Sequence, residues 1–592
     1  MKFWKTVLAV IVGVILTAVL LMAFSVMILS SMAASATSQP TLPKEGVLWM
    51  DMSTFTVSEQ ASAPDPMALV QGSSTETVGL LDAVRALRIA AEDPAVQYLY
   101  IKPEGYSGGF AALEELRKAI GDFRAGGKAV VSWLENPGTG SYYLASVSDK
   151  IYMTSYEGGT NQFFGVGTQL IFVKDLLDKL GVNVQLIRHG KYKSAGEMFI
   201  RNSASPENMQ QNQEMIDSIW KTFADDIAAS RGISVEKLNS LIDNLELNFP
   251  EDFLNAGLVD GLMTRKELED KVAALAVKES IKDVKSIPFA GYVSAKVQAN
   301  YKAKDKIAVI YATGDIVDSG RGLVGSEMAR TIAKVREDEH VKAVVFRVNS
   351  PGGSVLASEK IKAEIDLLRA EKPVVASYGD YAASGGYWIS NSCEKIYSDA
   401  TTLTGSIGVF SMIPEFSKTL KDIAHVNITS VTSSPHGDAL SLMRPFDAAE
   451  TAYMQASVER IYEKFVNIVA EGRSLEPDYV DTIAQGRVWT GADGLRIGLV
   501  DEIGTLSDAL AYTAGLAGNP DLAAWRIEEF PKPKTMMEQL KSYMGGNQSA
   551  LKPYKDTPLE SVVSAILDWE GSWNRRTPQY MYARIPYEII PM

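Results

Sequence analysis

The chain has 592 residues, too many for one hydrophobic core, so more than one domain is expected. Its formal net charge of −14 excludes a general nucleic-acid binder, which carries a basic face. A single cysteine, Cys393, rules out an intrachain disulfide or a multi-cysteine metal centre, no HExxH string occurs, and neither metal nor cofactor is expected.

At the N-terminus, Lys2 and Lys5 precede a stretch with no charged residue until Lys44, and residues 6–31 are almost wholly apolar. About 24 helical residues span roughly 36 Å, enough for a hydrocarbon core of about 30 Å. MAASA (32–36) offers small residues for signal-peptide cleavage. The apolar run, however, is far longer than the ~7–15 residues of a signal peptide. Residues 1–33 are therefore read as a retained transmembrane anchor in the lipid bilayer. The two lysines place its N-terminus in the cytoplasm and the rest of the chain outside.

The remainder is a duplication. AVQYLYIKPEGYSGG (95–109) aligns with HVKAVVFRVNSPGGS (340–354), and GSYYLASVSDKIYM (140–153) with GGYWISNSCEKIYS (385–398), at one offset of 245 (340 − 95, 385 − 140). With small slips, LGVNVQ (180–185) meets AHVNIT (424–429), and AGLVDGL (256–262) meets IGLVDEI (497–503). The repeats are placed at 46–290 and 305–520, with a tail at 521–592.

In the second repeat KIAVIYATGDI reads as a buried strand, SEMARTIAKVRED as a helix and KAVVFRVNS as a strand. SVLASEKIKAEIDLLRA follows as a helix and PVVASYG as a strand. Alternating strands and helices predict mainly parallel sheets with covered faces, and chemistry at the strands' carboxyl ends. Two loops sit there, NSPGG and DYAASGG. Residues 448–472 carry apolar positions at helical spacing and read as a core helix. In the tail, MEQLKSYM and LESVVSAILDWEGSW suggest short helices, and PQYMYARIPYEIIPM an extended arm.

Ser384, in DYAASGG, opens a helix, where free N–H groups and the helix dipole favour negative charge. Gly385 leaves an N–H uncovered beside the hydroxyl, and the glycines of NSPGG can aim another inward, the makings of an oxyanion hole. A nucleophilic serine needs a proton acceptor. His340 precedes a strand at the wrong end, and His425 lies in a helix-to-strand connection. His189 and His436 fall in a loop that repeats as RHGKYKSAGE (188–197) and TSSPHGDALS (432–441), which also holds Lys191 and Lys193. A lysine with a pKa near 10.4 could serve only if desolvation lowers it by several units. GYSGG (105–109) matches a nucleophile elbow formally, but the repeat register puts Ser107 over Gly352, making it a faded oxyanion turn.

The strings NSPGGS, AASGGYWIS and TLTGSIGVF resemble those of peptidase family S49 in its long, duplicated form. These are membrane-anchored serine peptidases of the signal peptide peptidase type, related in fold to the Clp protease and the crotonases. The resemblance runs from the anchor to about residue 520. It implies an α/β fold class of two tandem crotonase/Clp-protease-like repeats with mainly parallel sheets, preceded by one transmembrane helix. By the same resemblance Ser384 is the nucleophile, Lys193 the general base, Ser406 a hydroxyl supporting that lysine, and Gly353 and Gly385 the oxyanion donors. The first repeat has Lys193 but Thr139 where Ser384 would stand; the second has Ser384 but Gly437 opposite the lysine. The family further implies apolar peptide substrates such as remnant signal peptides, a homo-oligomer, commonly a tetramer, and a bacterial inner membrane with the catalytic part periplasmic. Two other functions stay in view: a crotonase-like acyl-CoA enzyme, and an inactive membrane scaffold if Lys193 cannot reach Ser384.

Overall fold

A computed structural model of the chain describes residues 41–62, 75–533, 538 and 582–584. The expected anchor at 1–33 and the second tail helix lie outside them, as does the first apart from Glu538. Among the described residues, no helix is long and apolar enough to cross a membrane.

The first repeat is built on six parallel strands. Their order is Gly261–Met263, Lys150–Thr154, Val130–Leu134, Val96–Lys102, Gly46–Asp51 and Ser286–Pro288. The second repeats this order with Glu502–Ile503, Lys395–Ser398, Val374–Ala383, Val341–Ser350, Lys306–Thr313 and Arg526–Phe530. The last of these strands lies past the expected bound at residue 520. Both sheets are covered on their faces, so their central strands are continuous apolar runs: Val341–Ser350 is buried at all but two of its positions. Large apolar cores form under each sheet, and Ala383, Leu403 and Val488 of the second repeat join the core of the first.

The second repeat adds two strands, Leu403–Gly405 and, antiparallel to it, Val488–Thr490. Its strand Val374–Ala383 runs on past the level where Val130–Leu134 stops, and Tyr381–Ala383 pair in parallel with Leu403–Gly405. Helices Gly325–Glu337, Val355–Glu371 and Ala448–Arg473 follow the predicted periodicities, the last burying Met454, Val458, Phe465 and Val469. Asp447 and Glu450 close its N-terminus with a reciprocal capping box.

A third sheet joins the repeats. Asn183–Arg188 of the first pairs antiparallel with Phe410–Glu415 of the second. The expected counterpart of this strand, AHVNIT, forms none; residues 424–429 run as exposed loop. Only one such strand can take this edge of Phe410–Glu415, so the two copies of the segment diverge. The tail contributes an extended arm: Tyr582–Arg584 pairs antiparallel with Gly352–Ser354 and meets Phe410.

Candidate active site

Ser384 sits where the prolonged strand turns into the short helix Gly385–Trp388. Its backbone is at φ 56 and ψ −113, a conformation that costs a non-glycine residue of order 1–3 kcal/mol. Surrounding bonds hold it there: Ser384 N donates to Gly405 O (2.8 Å) and Trp388 N donates to Ser384 O (2.8 Å). The side chain is fully buried.

Lys193 reaches this serine across 191 residues of sequence. Its Nζ lies within hydrogen-bond distance of Ser384 Oγ (2.9 Å), Ser406 Oγ (3.0 Å) and Ser406 O (3.1 Å); a neutral amine there can donate to the two Ser406 oxygens and accept from the Ser384 hydroxyl. The lysine is 2% exposed and no carboxylate touches its amine in the described structure. Burial alone pushes its pKa down to about 7. A dry pocket with hydroxyl and carbonyl partners offers no charge to pair with an ammonium, so the neutral amine is favoured.

Both repeats hold the lysine. Arg188 Nη1 donates to the Lys193 carbonyl (2.7 Å) and pairs with the buried Glu197. Gln211, on helix Pro206–Arg231, donates to Tyr192 O (3.1 Å) and accepts from Val488 N (3.2 Å). Gly486 has φ 77, and a Cβ there would stand 2.5 Å from that of Lys193. A glycine at this turn lets the lysine's backbone enter.

Gly353 has φ 154, and a side chain there would collide with the carbonyl of Ile316. A Cβ on Gly385 would stand 3.1 Å from Gly353 N. The backbones of Gly353 and Gly385, the latter next to Ser384 in the chain, therefore lie against one another. Ser350 Oγ accepts from Gly352 N (3.2 Å) and donates to Gly314 O (2.7 Å), stiffening the turn.

The remaining candidates are engaged elsewhere. Lys191 is exposed and rests over the Tyr192 ring at 5.0 Å. His189 stacks on Tyr462 at 3.9 Å, and His436 faces Glu450 at 3.2 Å beside Arg444. His340 is tied through its backbone to Asp338, and His425 is exposed. Ser107 is exposed, and Thr139 donates to Gly165 O (2.7 Å).

Sequence reasoning missed a polar junction behind the site. Arg347, fully buried, donates to Glu59 (2.8 and 3.1 Å) and pairs with Glu115 (2.8 Å), both from the first repeat. Asp380 accepts from Ala111 N (3.0 Å) at the start of helix Phe110–Ala125. The one available signal was a single arginine inside the apolar run KAVVFRVNS, since an ionised group in a buried strand requires partners.

A duplicated α/β fold with a hydroxyl at a helix start, an amine buried against it and glycine backbones alongside defines a hydrolase of the serine type. The model of peptidase family S49 matches residues 122–278 and 366–518, one segment in each repeat. Protease 4 of Salmonella typhi is 34% identical over 545 residues, covering 88% of this chain and 87% of that protein. Protease 4 of Haemophilus influenzae is 33% identical over 499 residues, covering 81% and 80%. The chloroplastic serine protease SPPA of Arabidopsis thaliana is 30% identical over 492 residues, covering 81% and 72%. The chain belongs to peptidase family S49, and it is a serine-type peptidase.

Proposed function

We propose that Ser384 and Lys193 form a Ser–Lys dyad that hydrolyses peptide bonds. The observation that carries this is the 2.9 Å hydrogen bond between Lys193 Nζ and Ser384 Oγ within one chain, with the amine buried. Neutral Lys193 takes the proton of Ser384 as Oγ attacks the scissile carbonyl. Gly353 and Gly385 N–H groups receive the oxyanion, each donor being worth about 3–4 kcal/mol in such a site. Lys193, now charged, returns its proton to the leaving amine, and water then resolves the acyl-enzyme. Ser406 orients the amine through its hydroxyl and carbonyl.

The substrates in this reading are apolar peptides, remnant signal peptides among them, met at a bacterial inner membrane. The N-terminal segment anchors the enzyme in the bilayer with its catalytic part periplasmic, and copies associate as a tetramer. The scaffold alternative rested on a lysine out of reach, and the separation observed removes that support. The acyl-CoA alternative requires acidic groups around the hydroxyl, whereas those touching Ser384 Oγ and Lys193 Nζ are amine, hydroxyl and carbonyl. The test is labelling with a serine-acylating phosphonate followed by peptide mapping. An adduct on Ser384 that requires Lys193 is expected; a folded, unlabelled wild-type chain overturns the assignment.

A further inference from the structure

The two strands that deliver the site's turns do not pair evenly. Val348 is opposite Tyr378, yet Ser350 is opposite Ala382, so the nucleophile strand carries two extra residues over this step. Such a bulge re-aims the chain beyond it, and here it lies immediately before Ser384. The ladder is broken at Gly379–Tyr381, and a side chain spans the gap. Asn349 Oδ1 accepts from Tyr381 N (3.1 Å), while its Nδ2 donates to Glu59 Oε1 (2.9 Å) and Asp380 Oδ2 (3.3 Å). The amide orientation follows from chemistry: two carboxylates accept, one backbone N–H donates. Gly379 leaves room for this, since a Cβ there would stand 3.0 Å from Asn349 Cβ.

The first repeat preserves half of the device. At the offset of 245, Asn349 corresponds to Glu104 and Tyr381 to Asn136 (349 − 104, 381 − 136). Glu104 Oε1 accepts from Glu135 N (2.6 Å) and Asn136 N (3.3 Å), but a carboxylate has no second hand with which to donate. In the repeat that carries the serine, an amide accepts from the backbone and also gathers two acids, one from each repeat.

We propose that Asn349 is a positioning residue for the peptidase site: its amide clamps the bulge and so sets Ser384 and the oxyanion turn relative to one another. The route is short. Tyr381–Ala383 register on Leu403–Gly405, whose Gly405 O receives Ser384 N and whose next residue, Ser406, holds Lys193. In the other direction Asn349 is followed by Ser350, which braces Gly352. Glu59 ties the clamp to the first repeat, so the seating of one repeat on the other is felt at the nucleophile. The inference rests on the dyad reading.

Asn349→Ala is expected to lower kcat roughly 10- to 100-fold at nearly constant KM, and to slow serine-phosphonate labelling of Ser384 in parallel. Asn349→Asp keeps the acceptor and shape. It can donate only when protonated, amid Glu59 and Asp380, with Arg347, Glu115, Asp399, Tyr106 and Tyr311 around them. Its kcat relative to wild type is therefore expected to fall as pH rises from about 5 to 9, a signature that a packing role would not give. Glu104→Gln, at the matching position of the first repeat, is expected to leave kcat unchanged. Wild-type kcat and labelling rate in Asn349→Ala overturn the proposal. If that variant does not fold, a pH-independent ratio for Asn349→Asp overturns it. A wild-type chain that is not labelled at all instead defeats the dyad, which keeps the two failures distinct.

Discussion

The two repeats share a strand order and differ at the point where one strand stops. In the first, Val130–Leu134 ends and helix Thr139–Ala145 begins with a threonine tied to Gly165. In the second, the matching strand continues through a bulge to Ala383, gains Leu403–Gly405 as a neighbour and ends on a strained serine. In the first repeat it is the loop after Asn183–Arg188 that carries Lys193 into its partner. Duplication frees each copy to lose one half of a site, provided a rigid junction holds the remaining halves together. Here the junction is a buried arginine held by acids from the opposite repeat, and a sheet made of strands from both.

The largest test of that division removes either half. Ser384→Ala and Lys193→Ala are each expected to lower peptide hydrolysis by at least about 10³-fold, and the double variant by little more, because the pair acts as a unit. Measured kcat/KM that fell additively would separate the halves. The lysine also sets a pH profile. In the proposed dyad the neutral amine is the base, and since burial brings its pKa to about 7, kcat/KM should rise with pH through about 7 and then level. Stability has the same sign. The unfolded chain holds this proton up to about pH 10.5 and the folded chain releases it near 7, so folding is penalised below about 10.5 and stability rises over that window. Lys193→Met, inactive, should lose this slope and unfold at a higher temperature at pH 7 in calorimetry.

The junction comes next. Arg347→Ala leaves Glu59 and Glu115 without their cation and is expected to cost about 3–5 kcal/mol of stability by denaturant titration. Ser406→Ala removes one of three partners of the Lys193 amine and should reduce kcat about 10-fold, with KM little changed. Smallest is the faded site: Thr139→Ala should cost about 1 kcal/mol through its lost hydrogen bond and leave kcat as it is. A large activity loss there would show that the first repeat still carries chemistry of its own.

Much of this was legible before any coordinates. Strand runs such as PVVASYG and KAVVFRVNS, and helices such as residues 448–472, announce themselves by periodicity, and the offset of 245 exposes the duplication. The glycine turns were legible as turns, and the resemblance to family S49 named the serine and the lysine. Asn349, Glu59 and Glu115 gave no signal, since each is an ordinary polar residue until its partners arrive from the other repeat. The alignment of LGVNVQ with AHVNIT misled, because similar strings do not dictate which copy finds a strand edge.

By itself the sequence determined the doubled α/β plan and the serine's place at a helix start, because hydrophobic period and turn chemistry act over a few residues. Only the tertiary structure decided that Lys193 meets Ser384 and that its amine is dry. Desolvation and a hydrogen bond across 191 residues belong to the assembled pocket, and no local stretch of the chain contains them.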